Sequence, residues 1–210
     1  MKLDKTRPFK EAIRRRVLKR QLDYFLEREG GEMKLYLIRH AAAIARSKEV
    51  VEEHRYLTIS GRQSFRLTAK RMAKKGEMPD VIVTSPLARA LQTAEILSEA
   101  LVFQGVVAVS PELAPGFDQA KLGRILASFK GIRGLAVVGH EPDLGEVAGA
   151  LLDLGRPLPL KKGMVACLKI PPKKKKVSAS LKWLLFEGKK VDPSTAGVED
   201  EQVKSKRQEK

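Results

Sequence analysis

The chain has 210 residues, 43% hydrophobic and 31% charged, enough for one domain with a substantial core. A single cysteine, Cys167, excludes a disulfide framework within the chain and favours a cytosolic setting. The net charge of +16 is unevenly spread: residues 161–190 carry 10 basic residues and 1 acidic one, centred on Lys173-Lys174-Lys175-Lys176. Such a run is a solvated loop or a place for an acidic partner. It has little aromatic company (Trp183), which disfavours nucleic acid.

In chain order, residues 8–28 read as a helix. Ile13, Val17, Leu18, Leu22, Phe25 and Leu26 form one apolar stripe, most of the arginines and lysines face away, and Gly30-Gly31 stops it. Residues 1–32 are therefore expected to be a basic amphipathic helix docked on the main domain. The start of the chain is basic and lacks a signal-peptide apolar region, and no apolar run approaches the roughly 18 residues of a membrane span. No membrane span and a cytoplasmic location are expected.

The run Lys34-Leu35-Tyr36-Leu37-Ile38 reads as a buried strand that ends in Arg39-His40. Residues 41–56 are irregular. Thr58 to Ser60 starts a helix that continues amphipathically over 61–75 through Phe65, Leu67 and Met72. Val81 to Thr84 is a strand. Ser85-Pro86 opens a helix to about Leu101, with Pro86 near the first helical position and Arg89 one turn in. Val106 to Val109 is a short strand, 111–116 a loop and 118–130 a helix. Leu135 to Gly139 is a strand ending at His140, and Pro142 opens a helix to about Leu152. After a Gly/Pro loop over 153–163, residues 164–170 and 178–186 read as two strands of a basic hairpin, 161–190 in all. Residues 188–210 are polar and aperiodic, which predicts a disordered tail. Strands alternating with helices imply a three-layer α/β/α sandwich with a mostly parallel central sheet, over residues 33–187.

Two buried strands that each hand a histidine to the carboxyl edge of one sheet suggest one site with two imidazoles. If Arg39, His40, Arg89 and His140 converge, two guanidinium forks and two imidazoles make a pocket for a tetrahedral dianion. No Walker loop or Gly-rich phosphate cradle is present, and nothing resembles a metal-ligand cluster, so no cofactor is expected. A neutral imidazole is a competent nucleophile. His40 could attack phosphorus, and water could then hydrolyse the phosphohistidine.

Ile38-Arg39-His40-Ala41, Leu57-Thr58-Ile59-Ser60-Gly61, Ser85-Pro86-Leu87-Ala88-Arg89-Ala90-Leu91-Gln92-Thr93 and Val138-Gly139-His140-Glu141-Pro142 resemble, in order and spacing, the motifs of the histidine phosphatase superfamily. This is the phosphoglycerate-mutase-like fold. The stretch 94–110 is short, leaving no room for a large lid domain, and the resemblance is closest to the small SixA-type phosphohistidine phosphatases. It implies that His40 is the phosphorylated nucleophile and that Arg39, Arg89 and His140 hold the phosphoryl oxygens. The implied activity is metal-independent phosphatase action on a phosphohistidine protein. The alternatives are a small phosphate ester as substrate, or a catalytically weak phosphoanion-binding adaptor.

Two positions depart from the family pattern. Ala41 stands where glycine is usual, and its methyl would crowd the phosphate if that position needs a positive φ. The usual acidic proton donor after the third strand has no clean match. Glu112 lies near the expected place, with Asp118 and Glu141 as alternatives. His54 lies in a polar stretch and reads as a surface residue.

Overall fold

The computed structural model describes residues 32–129, 131–170 and 179–196. The expected N-terminal helix, the Lys173–Lys176 run and the chain beyond 196 lie outside those residues. Seven strands form one sheet: β1 (Met33–Arg39), β2 (Val81–Thr84), β3 (Val106–Val109), β4 (Gly134–Gly139), β5 (Val165–Ile170), β6 (Ser180–Phe186) and β7 (Lys189–Val191). Their order is β3-β2-β4-β1-β5-β6-β7. The first four run parallel, and β5, β6 and β7 are antiparallel additions. Helical crossovers join the parallel strands, whereas β6 and β7 are joined by a tight turn, which can only give antiparallel neighbours.

Side chains along β1 alternate between two buried faces. Leu35 and Leu37 enter a core with Leu122, Ile125 and Leu126 of α3 (Gln119–Ser128) and Leu144, Val147 and Ala148 of α4 (Asp143–Leu151). Tyr36 and Ile38 enter the opposite core with Phe65, Ala69 and Met72 of α1 (Ile59–Lys74) and Ala94, Ile96 and Leu97 of α2 (Ala88–Leu101). The three-layer sandwich follows directly, since a sheet buried on both faces needs apolar residues at consecutive positions. Glu77, a carboxylate caught in the second core, is paired. Glu77 accepts from Tyr36 Oη (2.7 Å), Trp183 Nε1 (3.1 Å) and Lys34 Nζ (2.8 Å). The segment between α2 and α3 contains only β3 and a 3-10 turn at Pro111–Leu113, so no lid domain arises there.

Two expectations need correction. The tail expected to be disordered from 188 begins instead as β7, paired with β6 through Leu184–Val191, Leu185–Lys190 and Phe186–Lys189, and a 3-10 turn follows at Pro193–Ala196. The connection is Glu187-Gly188, both at positive φ (50° and 74°), the two-residue turn that matches strand twist. Glu187 also accepts from Ser64 Oγ of α1 (3.2 Å). The second correction is the start of α2. Its first residue is Ala88, with Leu87 as N-cap, because Ser85 Oγ accepts from the Leu87 amide (3.3 Å) and Pro86 falls in that turn. Among the described residues no helix is long and apolar enough to cross a membrane.

Candidate active site

Strands β1, β4 and β2 lie side by side and end at one level. Arg39 pairs with Gly139, and Thr84 with Val138. The next residues, His40, His140 and Ser85, therefore emerge together. The chain leaves β1 toward β2 on one face and leaves β4 toward β5 on the other. The gap between β1 and β4 is thus a topological switch point, where open α/β sheets bind ligands. The imidazoles of His40 and His140 meet there with ring centroids 5.2 Å apart.

His40 is held at both ring nitrogens. Nδ1 lies 2.7 Å from the Ala41 carbonyl, an acceptor only, which assigns the proton to Nδ1. Nε2 is left with its lone pair, and Arg89 Nε donates to it at 3.2 Å. Burial and then the neighbouring cationic side chains push the His40 pKa down to about 3, with the Ala41 carbonyl opposing. His140 is pushed down to about 4, mainly by burial and the Arg89 charge. Both rings are therefore neutral at physiological pH. His140 Nε2 lies 2.8 Å from Ser85 Oγ, while its Nδ1 is buried without a partner.

Arg89 sits in the first turn of α2 and is 4% exposed, so its charge must be satisfied locally. Besides His40, it donates through Nη1 to the Glu52 carbonyl (2.8 Å), and its Nη2 forms an ion pair with Glu52 Oε1 (3.0 Å). Arg39 donates through Nη1 to the Leu160 carbonyl (2.7 Å), and its Nε is buried without a partner. The structure thus brings all four expected residues to one sheet edge. Five buried side-chain N or O atoms lack partners among the described residues, and three belong to Arg39, His140 and Glu141. Unsatisfied polar atoms gathered around one edge suit a site that awaits a polar ligand.

The surrounding motif residues shape this edge. Thr93 Oγ1 accepts from the Ala41 amide (3.1 Å) and donates to the Arg89 carbonyl (2.7 Å), joining β1's end to α2. Gln92 Oε1 accepts from the Leu57 amide (2.8 Å). Thr58 caps α1 through the Gly61 amide (3.0 Å), and a Cβ at Gly61 would lie 2.1 Å from the Ala42 carbonyl oxygen. Glycine at 61 is what lets α1 abut the segment after His40. Ala41 is not among the residues at positive φ, and its methyl packs in the α1/α2 core. The backbone conformation that would have made glycine necessary at 41 is absent.

The candidate proton donors fare differently. Glu112 forms a two-pronged ion pair with Arg124 (2.7 and 2.8 Å) on the surface, which holds its carboxyl below the usual range. Asp118 caps α3 by accepting from the Lys121 amide (2.9 Å). Glu141 is half-buried, faces the Leu160 and Gly145 amides and the Arg39 charge, and is pushed up by burial to about 7. His54 is exposed. The carboxylate that touches Arg89, Glu52, had no signal in the sequence, since it lies in a polar, aperiodic segment. Among the described residues no group of three or more His, Cys, Asp and Glu is placed to hold a metal ion.

Comparison with known proteins gives three findings. The family model for the histidine phosphatase superfamily (branch 1) matches residues 35–125. A protein of Picosynechococcus sp., itself described as uncharacterized, is 38% identical over 150 residues, covering 65% of this chain and 85% of the relative. Among solved structures, the protein histidine phosphatase SixA complexed with tungstate superposes with a TM-score of 0.66 at 22% identity, covering 74% of this chain and 97% of that one. A SixA structure from Agrobacterium tumefaciens gives 0.61 at 21% identity, covering 73% and 97%.

Proposed function

The chain belongs to the histidine phosphatase superfamily, and from that membership we propose that it is a phosphatase in which His40 carries the phosphoryl group, acting on a phosphohistidine protein. The observation that carries this reading is the state of His40. Its Nδ1 proton is committed to the Ala41 carbonyl, so the Nε2 lone pair faces Arg89 within a buried, cationic edge. A neutral, desolvated imidazole with a fixed tautomer is poised as a nucleophile.

In the first step Nε2 forms a bond to phosphorus while the bond from phosphorus to the leaving nitrogen breaks. Arg39, Arg89 and His140 Nδ1 hold the phosphoryl oxygens. A phosphohistidine substrate protonated on its second ring nitrogen expels a neutral imidazole. In the second step water attacks phosphorus, the P–Nε2 bond breaks, and dihydrogen phosphate leaves His40 neutral with its Nδ1 proton in place. Neither step needs a strong general acid, which agrees with Glu112 being tied to Arg124. An alkyl ester, whose alkoxide leaves poorly, would need one.

A single-turnover assay with EDTA present tests this, using a phosphohistidine protein and para-nitrophenyl phosphate on wild type and His40→Ala. Phosphate release that requires His40, ignores EDTA and runs faster on phosphohistidine is the expected result. Release that survives His40→Ala would overturn it.

A further inference from the structure

One guanidinium edge serves two acceptors at this site. Nε and Nη2 of Arg89 share the edge that arginine offers to bidentate ligands. Nε donates to His40 Nε2 at 3.2 Å, and Nη2 meets Glu52 Oε1 at 3.0 Å. The Glu52 oxygen therefore lies beside the atom to which a phosphoryl group would be joined. Its charge lies against the Nη2 group that an equatorial phosphoryl oxygen would use. The Glu52 side chain is 36% exposed, so it reaches Arg89 from the solvent side.

The rest of the Glu52 carboxylate is bound as an anion would be. Arg55 Nη1 reaches both oxygens (2.9 and 3.0 Å) and Arg46 Nε reaches Oε2 (2.9 Å). Arg55 is anchored in turn by the Ile44 carbonyl through Nε and Nη2 (3.0 and 2.8 Å). Three arginines, from 46, 55 and 89, converge on one carboxylate that the chain itself supplies. It rides on a 3-10 turn, Glu52–His54, within an otherwise irregular segment.

We propose that Glu52 is the affinity-setting residue of this pocket: its carboxylate occupies a phosphoryl-oxygen seat on Arg89, and the incoming phosphoryl group must displace it. The inference rests on the phosphatase reading above. It adds that Arg46 and Arg55, freed from Glu52, become available to the same anion. Phosphoanion affinity is thereby set by competition between two anions for one set of guanidiniums.

The test is calorimetric titration with inorganic phosphate at constant ionic strength, on wild type, Glu52→Gln, Glu52→Ala and Glu53→Gln. Glu53 is exposed and one residue away, so its variant removes the same charge without emptying the seat. Both Glu52 variants should bind phosphate about tenfold tighter, because Arg89 no longer gives up an ion pair to receive the anion. The Glu53 variant should change affinity by less than about twofold. With para-nitrophenyl phosphate, kcat/KM should rise in the Glu52 variants. Unchanged or weaker phosphate binding in both Glu52 variants, an equal gain in Glu53→Gln, or a fall in kcat/KM would each overturn the proposal. The binding comparison needs no turnover, so it decides this point even if His40→Ala shows the proposed reaction to be wrong.

Discussion

His40 and His140 should stay neutral far below the pH at which a histidine ordinarily charges. An imidazole with a pKa of 6.5 is about 90% protonated at pH 5.5. With the pKa pushed down to about 3, His40 would be less than about 1% protonated there. The cause is burial plus the positive charges of Arg89 and Arg39, each of which opposes a further charge. Stability has to follow the same displacement. Below pH 6.5 the unfolded chain takes up protons that the folded chain refuses at these two rings. Folding therefore weakens as pH falls from about 6.5 toward about 4 and then 3, by up to about 1.4 kcal/mol per pH unit for each histidine. Two-dimensional proton–nitrogen spectra of the histidine rings, recorded from pH 8 to 4.5, read the rings directly, and the His40→Ala spectrum supplies the assignment. The His40 resonances should show the Nδ1–H tautomer throughout, with no inflection above pH 4.5. An inflection for His40 between pH 6 and 7 would refute this, because a ring that charges there is solvated and not the desolvated imidazole that the proposed mechanism requires.

Gly61→Ala places a methyl 2.1 Å from the Ala42 carbonyl oxygen, so α1 must move away from the segment after His40. Urea unfolding should show a loss of about 1–3 kcal/mol or more, and an unchanged midpoint would contradict the close approach. Glu141→Gln should act in the opposite pH direction to the histidines. Burial raises the Glu141 pKa to about 7, so the stability this residue contributes is complete below about 4.5 and is lost as pH rises through about 7. Thermal melts at pH 5 and pH 8 should show Glu141→Gln gaining on wild type at the higher pH, and equal differences at both pH values would disprove it.

Much of this site was legible because burial writes itself into sequence. β1 and β4 are apolar at consecutive positions since both sheet faces are covered, and such runs are conspicuous when they stop at Arg39-His40 and Gly139-His140. Arg89 was legible through its place after Ser85-Pro86, although the helix starts two residues later than the proline suggests. The misses share a different cause. β7 has only three residues, mostly lysine, and exists because Glu187 adopts a positive φ that sequence does not announce. Glu52 sits in an aperiodic stretch where no pattern marks one carboxylate over its neighbours. Its importance comes only from the 37 residues of chain that fold back to set Arg89 against it. Long-range pairings of this kind are properties of the fold rather than of a local window.

Arg89 is where these threads meet. In the described structure Nε donates to His40 Nε2, Nη1 donates to the Glu52 carbonyl, and Nη2 pairs with the Glu52 carboxylate. A buried guanidinium without such partners would be costly, so these contacts stabilise Arg89 in place. Under the proposed mechanism, the lone pair engaged by Arg89 Nε must be released before it attacks phosphorus. A phosphoryl group resolves both conditions together. On the proposed reading, its oxygens would accept from Arg89, release His40 Nε2 and displace Glu52 in one exchange. Nucleophile activation would then be coupled to correct seating of the anion, and ligands that cannot compete with a carboxylate for Arg89 would leave His40 blocked.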